Sequence, residues 1–113
     1  MIEIVTSIPI SRSAGDVFAY VADMANNPEW QGGMQSCRWT SDPPIGVGST
    51  YDQVASFLGK EIRSSFEVTE FDPGRMLRIR TTSGSMSIDV TRTVEPVGPE
   101  QSRVSATVRG DPS

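Results

Sequence analysis

Ser13 to Trp30, SAGDVFAYVADMANNPEW, is the stretch whose reading decides the fold. It is the only segment with clear helical character. Ser13 suits an N-cap, and Asp16 three residues on completes a capping-box-like pair at the positive end of the helix. Ala14, Val17, Phe18 and Val21 follow at i, i+3, i+4 and i+7, an apolar stripe on a short amphipathic helix. Asp23 and Asn27 can both cap, and Pro28 after Asn27 allows a second helical piece ending near Trp30. A pair of helices this short needs a sheet to pack on.

The rest of the chain supplies one. Residues 2–10 alternate, with Ile2, Ile4, Ile8 and Ile10 on one parity and Glu3, Ser7 and Pro9 on the other, a half-buried strand. Gly32-Gly33 ends the helices, and a strand of ambiguous facing follows from Met34 to Ser41. Turn residues at 42–48 lead into Thr50–Leu58, and Gly59-Lys60 reads as a hairpin turn into Glu61–Phe71. Asp72-Pro73-Gly74 is a strong turn signal before Met76–Thr82. Met86–Val94 and Arg103–Arg109 complete the set, with Pro96–Glu100 read as a loop. Turns this short make consecutive strands antiparallel neighbours. The expected fold is α+β: seven antiparallel strands with a short helix pair after the first, in one domain spanning 1–113. One parity of each strand is apolar, so one sheet face is dry, and two short helices cover only part of it.

Composition narrows the function. The chain has 113 residues, a net charge of −4 and no histidine. Without His there is no Ser-His or Cys-His nucleophile system, and zinc lacks its commonest nitrogen ligand. No phosphate-binding loop, dinucleotide fingerprint or CxxC pattern occurs, so no cofactor and no metal are expected. The acidic balance argues against nucleic acid as a partner. No apolar run is long enough to span a membrane, and no signal peptide is visible. With Cys37 alone, read as a small buried hydrophobe, a cytoplasmic location is the expectation.

Two positions stand out for chemistry. Arg92 shares parity with Met86, Ile88, Val90 and Val94, so a regular strand points it inward. A bulge that turns it outward, or a place at a cavity rim, is the preferred reading over a buried charge. If it points in, pairing with Asp52 or with an anionic ligand group is expected. Tyr51 and Asp52 are adjacent, so one faces the dry side, and that one is the general acid/base candidate. Arg63, Arg78 and Arg80 read as a solvated outer face with Glu61 and Glu67 as partners.

Several motifs together resemble the START/Bet v 1-like (SRPBCC) superfamily, in particular its polyketide cyclase/dehydrase-type bacterial members. They are Ile8-Pro9-Ile10, Asp16-Val17-Phe18-Ala19-Tyr20-Val21-Ala22-Asp23, Asn27-Pro28-Glu29-Trp30, Pro44-Ile45-Gly46-Val47-Gly48-Ser49-Thr50-Tyr51 and Phe66-Glu67-Val68-Thr69-Glu70-Phe71-Asp72-Pro73-Gly74-Arg75. The resemblance implies a helix-grip fold whose sheet holds a long C-terminal helix with a ligand cavity between them. The sequence ends at Ser113, just past the seventh strand, so that helix is expected to be absent. Either the chain is cut short relative to the family, or a homodimer or higher assembly covers the concave face, and for the chain as given the assembly is expected. The resemblance also makes Trp30 a cavity-mouth residue, and Phe57, Phe66, Leu77, Ile79, Met86, Ile88 and Val90 pocket lining rather than ordinary core. The function it implies is binding of a small hydrophobic molecule such as a lipid, polyketide or isoprenoid. The alternatives are a polyketide cyclase, aromatase or dehydratase, and a protein-interaction module.

Overall fold

In the computed structural model, residues 2–30, 34–84 and 86–112 are described, the side chains of Ile2, Trp30, Phe57, Met86, Asp111 and Pro112 excepted. Strand β1 (Ile2–Ile10) leads to helix α1 (Ala14–Ala22), a 3-10 turn (Met24–Asn26) and helix α2 (Asn27–Trp30). Strands β2 (Met34–Trp39), β3 (Thr50–Phe57), β4 (Lys60–Asp72), β5 (Met76–Ser83), β6 (Met86–Gly98) and β7 (Gln101–Pro112) follow. They form one antiparallel sheet in the order β1-β7-β6-β5-β4-β3-β2. The expected α+β class and seven strands are what the chain adopts.

The helical stretch behaves as its side chains dictate. Ser13 Oγ accepts the Asp16 backbone N–H at 3.3 Å, fixing the start of α1. Asp23 ends it and caps the 3-10 turn, accepting the Ala25 backbone N–H at 3.1 Å. Val17, Phe18, Val21 and Ala22 are buried against the sheet. Each large side chain so buried contributes roughly 1.5–3 kcal/mol. Phe18 reaches Phe71 at a ring separation of 5.8 Å.

Several boundaries differ from expectation. Phe57 pairs with Lys60, so the β3–β4 turn is Leu58-Gly59 and not Gly59-Lys60. Both central residues have positive φ, 52° and 78°, the twist that a two-residue hairpin requires. Strands β6 and β7 run through the supposed loop at 96–100 and meet at a two-residue Pro99-Glu100 turn. Pro96 is tolerated there because the ladder shifts register between Pro96 and Gly98. The second strand stops at Trp39, before Ser41.

Helix α1 packs on β6 and β7, while the 3-10 turn and α2 pack on β2. Beneath them lies the core, with Leu77, Val68, Tyr51, Phe66, Ile79 and Val94 buried on the same face. That face is not fully covered. Ile4 and Ile8 on β1 share it with Val104 and Val108, yet are 54% and 52% exposed.

Candidate functional site

Arg92 settles the polar side of this face. It points inward and is 5% exposed, so the preferred outward bulge does not occur. The β6–β7 ladder is regular from Met86 to Pro96, and nothing flips the parity at 92. The charge is accommodated by hydrogen bonds. Arg92 Nη1 donates to Val21 O at 3.0 Å and to Asn27 Oδ1 at 3.1 Å, with Met24 Sδ at 3.3 Å. Val21 O belongs to the last turn of α1, where carbonyls lack helical partners, so Arg92 works as a helix stop supplied by the sheet. Burial pulls its pKa down from the usual arginine value, and Tyr51 and Cys37 oppose that pull.

Asp52 is not its partner. It is exposed on the opposite face and accepts from Ser65 Oγ at 2.8 Å. Tyr51 is the member of the pair that faces inward, 1% exposed, stacked on Phe66 at 5.1 Å and met edge-on by Trp39 at 5.4 Å. Burial pushes its phenol well above the ordinary tyrosine value. Tyr51 therefore stays protonated at neutral pH and can donate a proton or a hydrogen bond, but cannot serve as a resting base.

Asn27 and Trp39 are part of this node although neither stands out in the sequence. Asn27 is 1% exposed, and its Nδ2 lies 3.4 Å from Met24 Sδ and 3.7 Å from Cys37 Sγ. Trp39 Nε1 donates to Asp23 Oδ1 at 2.8 Å, tying β2 to the end of α1. Asn27 reads locally as a cap, and only the approach of β6 makes it a receiver for Arg92. Cys37 is buried as expected, and burial pushes its thiol up.

The open space lies elsewhere on the same face. A cleft of about 470 Å³ runs between α1 and strands β1 and β7, with Ile8, Ile10, Val17, Val21 and Val104 as aliphatic walls. Arg12, Asp16 and Tyr20 also line it. Among the described side chains, none of the residues named from sequence as ligand contacts is among those that line it. Phe66, Leu77 and Ile79 are core beneath the helices, and Ile88 and Val90 are half-buried beside it. The side chains of Trp30, Phe57 and Met86 fall outside the described set. A larger cleft of about 620 Å³ borders Arg78, Arg80 and Arg109 on the outer face. Its arginines are engaged by carboxylates: Arg78 with Asp89 at 2.8 Å and Glu70 at 3.1 Å, Arg80 with Glu67 at 3.5 Å, and Arg109 with Glu3 at 2.8 Å. That solvated, ion-paired surface suits an apolar ligand poorly. Among the described residues no cluster of His, Cys, Asp and Glu could hold a metal, and no helix is long and apolar enough to cross a membrane.

The same architecture recurs in solved structures. A protein from Thermus thermophilus superposes with a TM-score of 0.85 at 20% identity, over 98% of this chain and 75% of that one. A START superfamily protein from Mycobacterium smegmatis gives 0.85 at 13%, covering 98% and 77%. The Zhui aromatase/cyclase from Streptomyces sp. R1128 gives 0.84 at 10%, covering 98% and 68%. Likeness at these identities concerns the fold alone, and it is the START/Bet v 1-like fold. No curated protein sequence matches the chain. The family model for polyketide cyclase / dehydrase and lipid transport matches residues 1–113, and the chain belongs to that family.

Proposed function

We propose that the protein binds a small hydrophobic molecule in the cleft between α1, β1 and β7. One observation carries this reading: an open volume of about 470 Å³ walled by Ile8, Ile10, Val17, Val21 and Val104, on the helix-bearing face. A space of that size lies within the ~300–1,000 Å³ common for small-molecule sites, and its aliphatic walls favour apolar contact over directional recognition. Arg12, Asp16 and Tyr20 offer polar contacts to a ligand there. Membership of a family described by both cyclase and lipid-transport activity supports the same class of ligand. The cyclase alternative gains less, because Tyr51 is packed in the core and Asp52 lies on the outer face, away from the cleft.

Displacement of a fluorescent apolar probe, anilinonaphthalene sulfonate, tests the proposal with a straight-chain fatty acid, an isoprenoid alcohol and a polycyclic phenol as competitors. At least one is expected to bind saturably. Ile8→Asp, at a half-exposed wall position, should weaken binding by about tenfold or more, equivalent to about 1.4 kcal/mol. Absence of saturable binding, or an Ile8→Asp protein that binds unchanged, overturns it.

A further inference from the structure

The two edges of the sheet are built differently. The β2 edge is six residues long, shifts register between Met34 and Ser36, and is packed by the 3-10 turn and α2. Bulging, shortness and cover are the usual ways of keeping a sheet edge from recruiting another strand. The β1 edge has none of these three, and its proline, Pro9, stands one residue from the strand's end, outside the Glu3–Ser7 stretch. Its nine residues pair with β7 in unbroken register from Ile2↔Gly110 to Ile10↔Ser102, and among the described residues no strand lies on its other side. It carries no lysine, and Val5 on the outer face is 64% exposed. Ile4 and Ile8 on the helix-bearing face are also more than half exposed.

We propose that β1 is the interface of a symmetric homodimer in which a second copy's β1 continues the sheet, antiparallel, about a twofold axis at Val5. A twofold perpendicular to the sheet keeps the dry faces on one side and lets one patch serve as its own complement. Charge selects the register. With Val5 opposite Val5, Glu3 faces Ser7 of the second copy. Within each chain the Ser7 hydroxyl accepts from Arg103 Nη1 at 3.0 Å. The pairing therefore delivers each copy's Arg103 guanidinium toward the other's Glu3 carboxylate, which keeps its own Arg109 at 2.8 Å. Centring the pair on Glu3 instead would oppose two carboxylates, which is destabilising. On the other face, Ile4 and Ile8 of both copies join into one apolar ribbon. This differs from an assembly in which one sheet caps another face-on, and because Val5, unlike Ile8, lies outside the cleft, a change at Val5 tests it apart from ligand binding.

Analytical ultracentrifugation of the wild type, Val5→Lys and Val5→Cys tests the proposal. The wild type should sediment as a dimer in the micromolar range. Val5→Lys places two cations at the axis and should raise the dimer dissociation constant by about tenfold or more, with an unchanged circular dichroism spectrum and unchanged probe binding in the cleft. Directly opposed antiparallel residues have Cα atoms roughly 4.5–5.5 Å apart, within disulfide reach. Val5→Cys should thus oxidise to a covalent dimer, while Thr107→Cys, one strand inward on the same face, should not. Cys37 is buried and does not compete. A wild type that stays monomeric at about 100 µM overturns the proposal. So does a Val5→Cys protein that fails to cross-link, or a dimer unaffected by Val5→Lys but broken by Tyr20→Lys on the helix-bearing face.

Discussion

Arg92 shows how a charge is carried into a dry sheet face when geometry supplies acceptors. A lone guanidinium there would cost several kcal/mol, and the outward alternative is the economical one from sequence. The alternative fails because a bulge needs an extra residue in the ladder, and β6 has none near position 92. What the period-two pattern cannot reveal is that α1 ends with an unsatisfied carbonyl within reach. Replacing Arg92 with Met keeps the length and removes the donors, stranding Val21 O and Asn27 Oδ1. Stability should fall by about 2–4 kcal/mol, read as a lower urea midpoint with an unchanged slope. Lys should restore part of the loss, since the bonds to Val21 O and Asn27 Oδ1 both leave one nitrogen, Nη1, and an ammonium on a shorter stem also carries several donors. An unchanged midpoint in Arg92→Met would remove Arg92 from its role in holding α1.

At the scale of elements, the strands were legible because their burial follows period two, as Leu77 and Ile79 or Phe66 and Val68 show. Helix α1 was legible for the matching reason at period 3.6. Turn positions were less so. Gly59 marked the β3–β4 hairpin correctly, but a glycine alone does not say which side of it the second turn residue occupies. The structure gives that place to Leu58, which is 86% exposed at φ 52°. A branched aliphatic residue in the left-handed region costs on the order of 1 kcal/mol, and Asn is far more at ease there. Leu58→Asn should therefore raise stability by about 1 kcal/mol, measured by urea unfolding. A destabilised variant would mean that Leu58 makes contacts outside the hairpin.

At the scale of the whole molecule, what escaped the sequence is what depends on where elements land on one another. Choosing between Tyr51 and Asp52 required the register of β3 against β4, which neither strand encodes alone. The cleft is walled by α1, β1 and β7, three elements that are brought together only by the finished sheet. Asn27 and Trp39 owe their roles to β6 and to Asp23 in the same way.

The pairing of Ile2 with Gly110 has a temporal consequence. Strands β2 to β7 meet their neighbours through hairpins or short connections, so that meander can assemble from local contacts. Among the described residues, strand β1 finds its strand partner in β7, about a hundred residues further along the chain. Closing a loop of about a hundred residues is entropically late work. Truncations that relieve packing on β1, such as Ile8→Val, should therefore speed unfolding and leave the folding rate nearly unchanged in a stopped-flow chevron. Until β7 emerges from the ribosome, the nascent chain holds β1, a half-apolar strand, without the partner that completes its ladder.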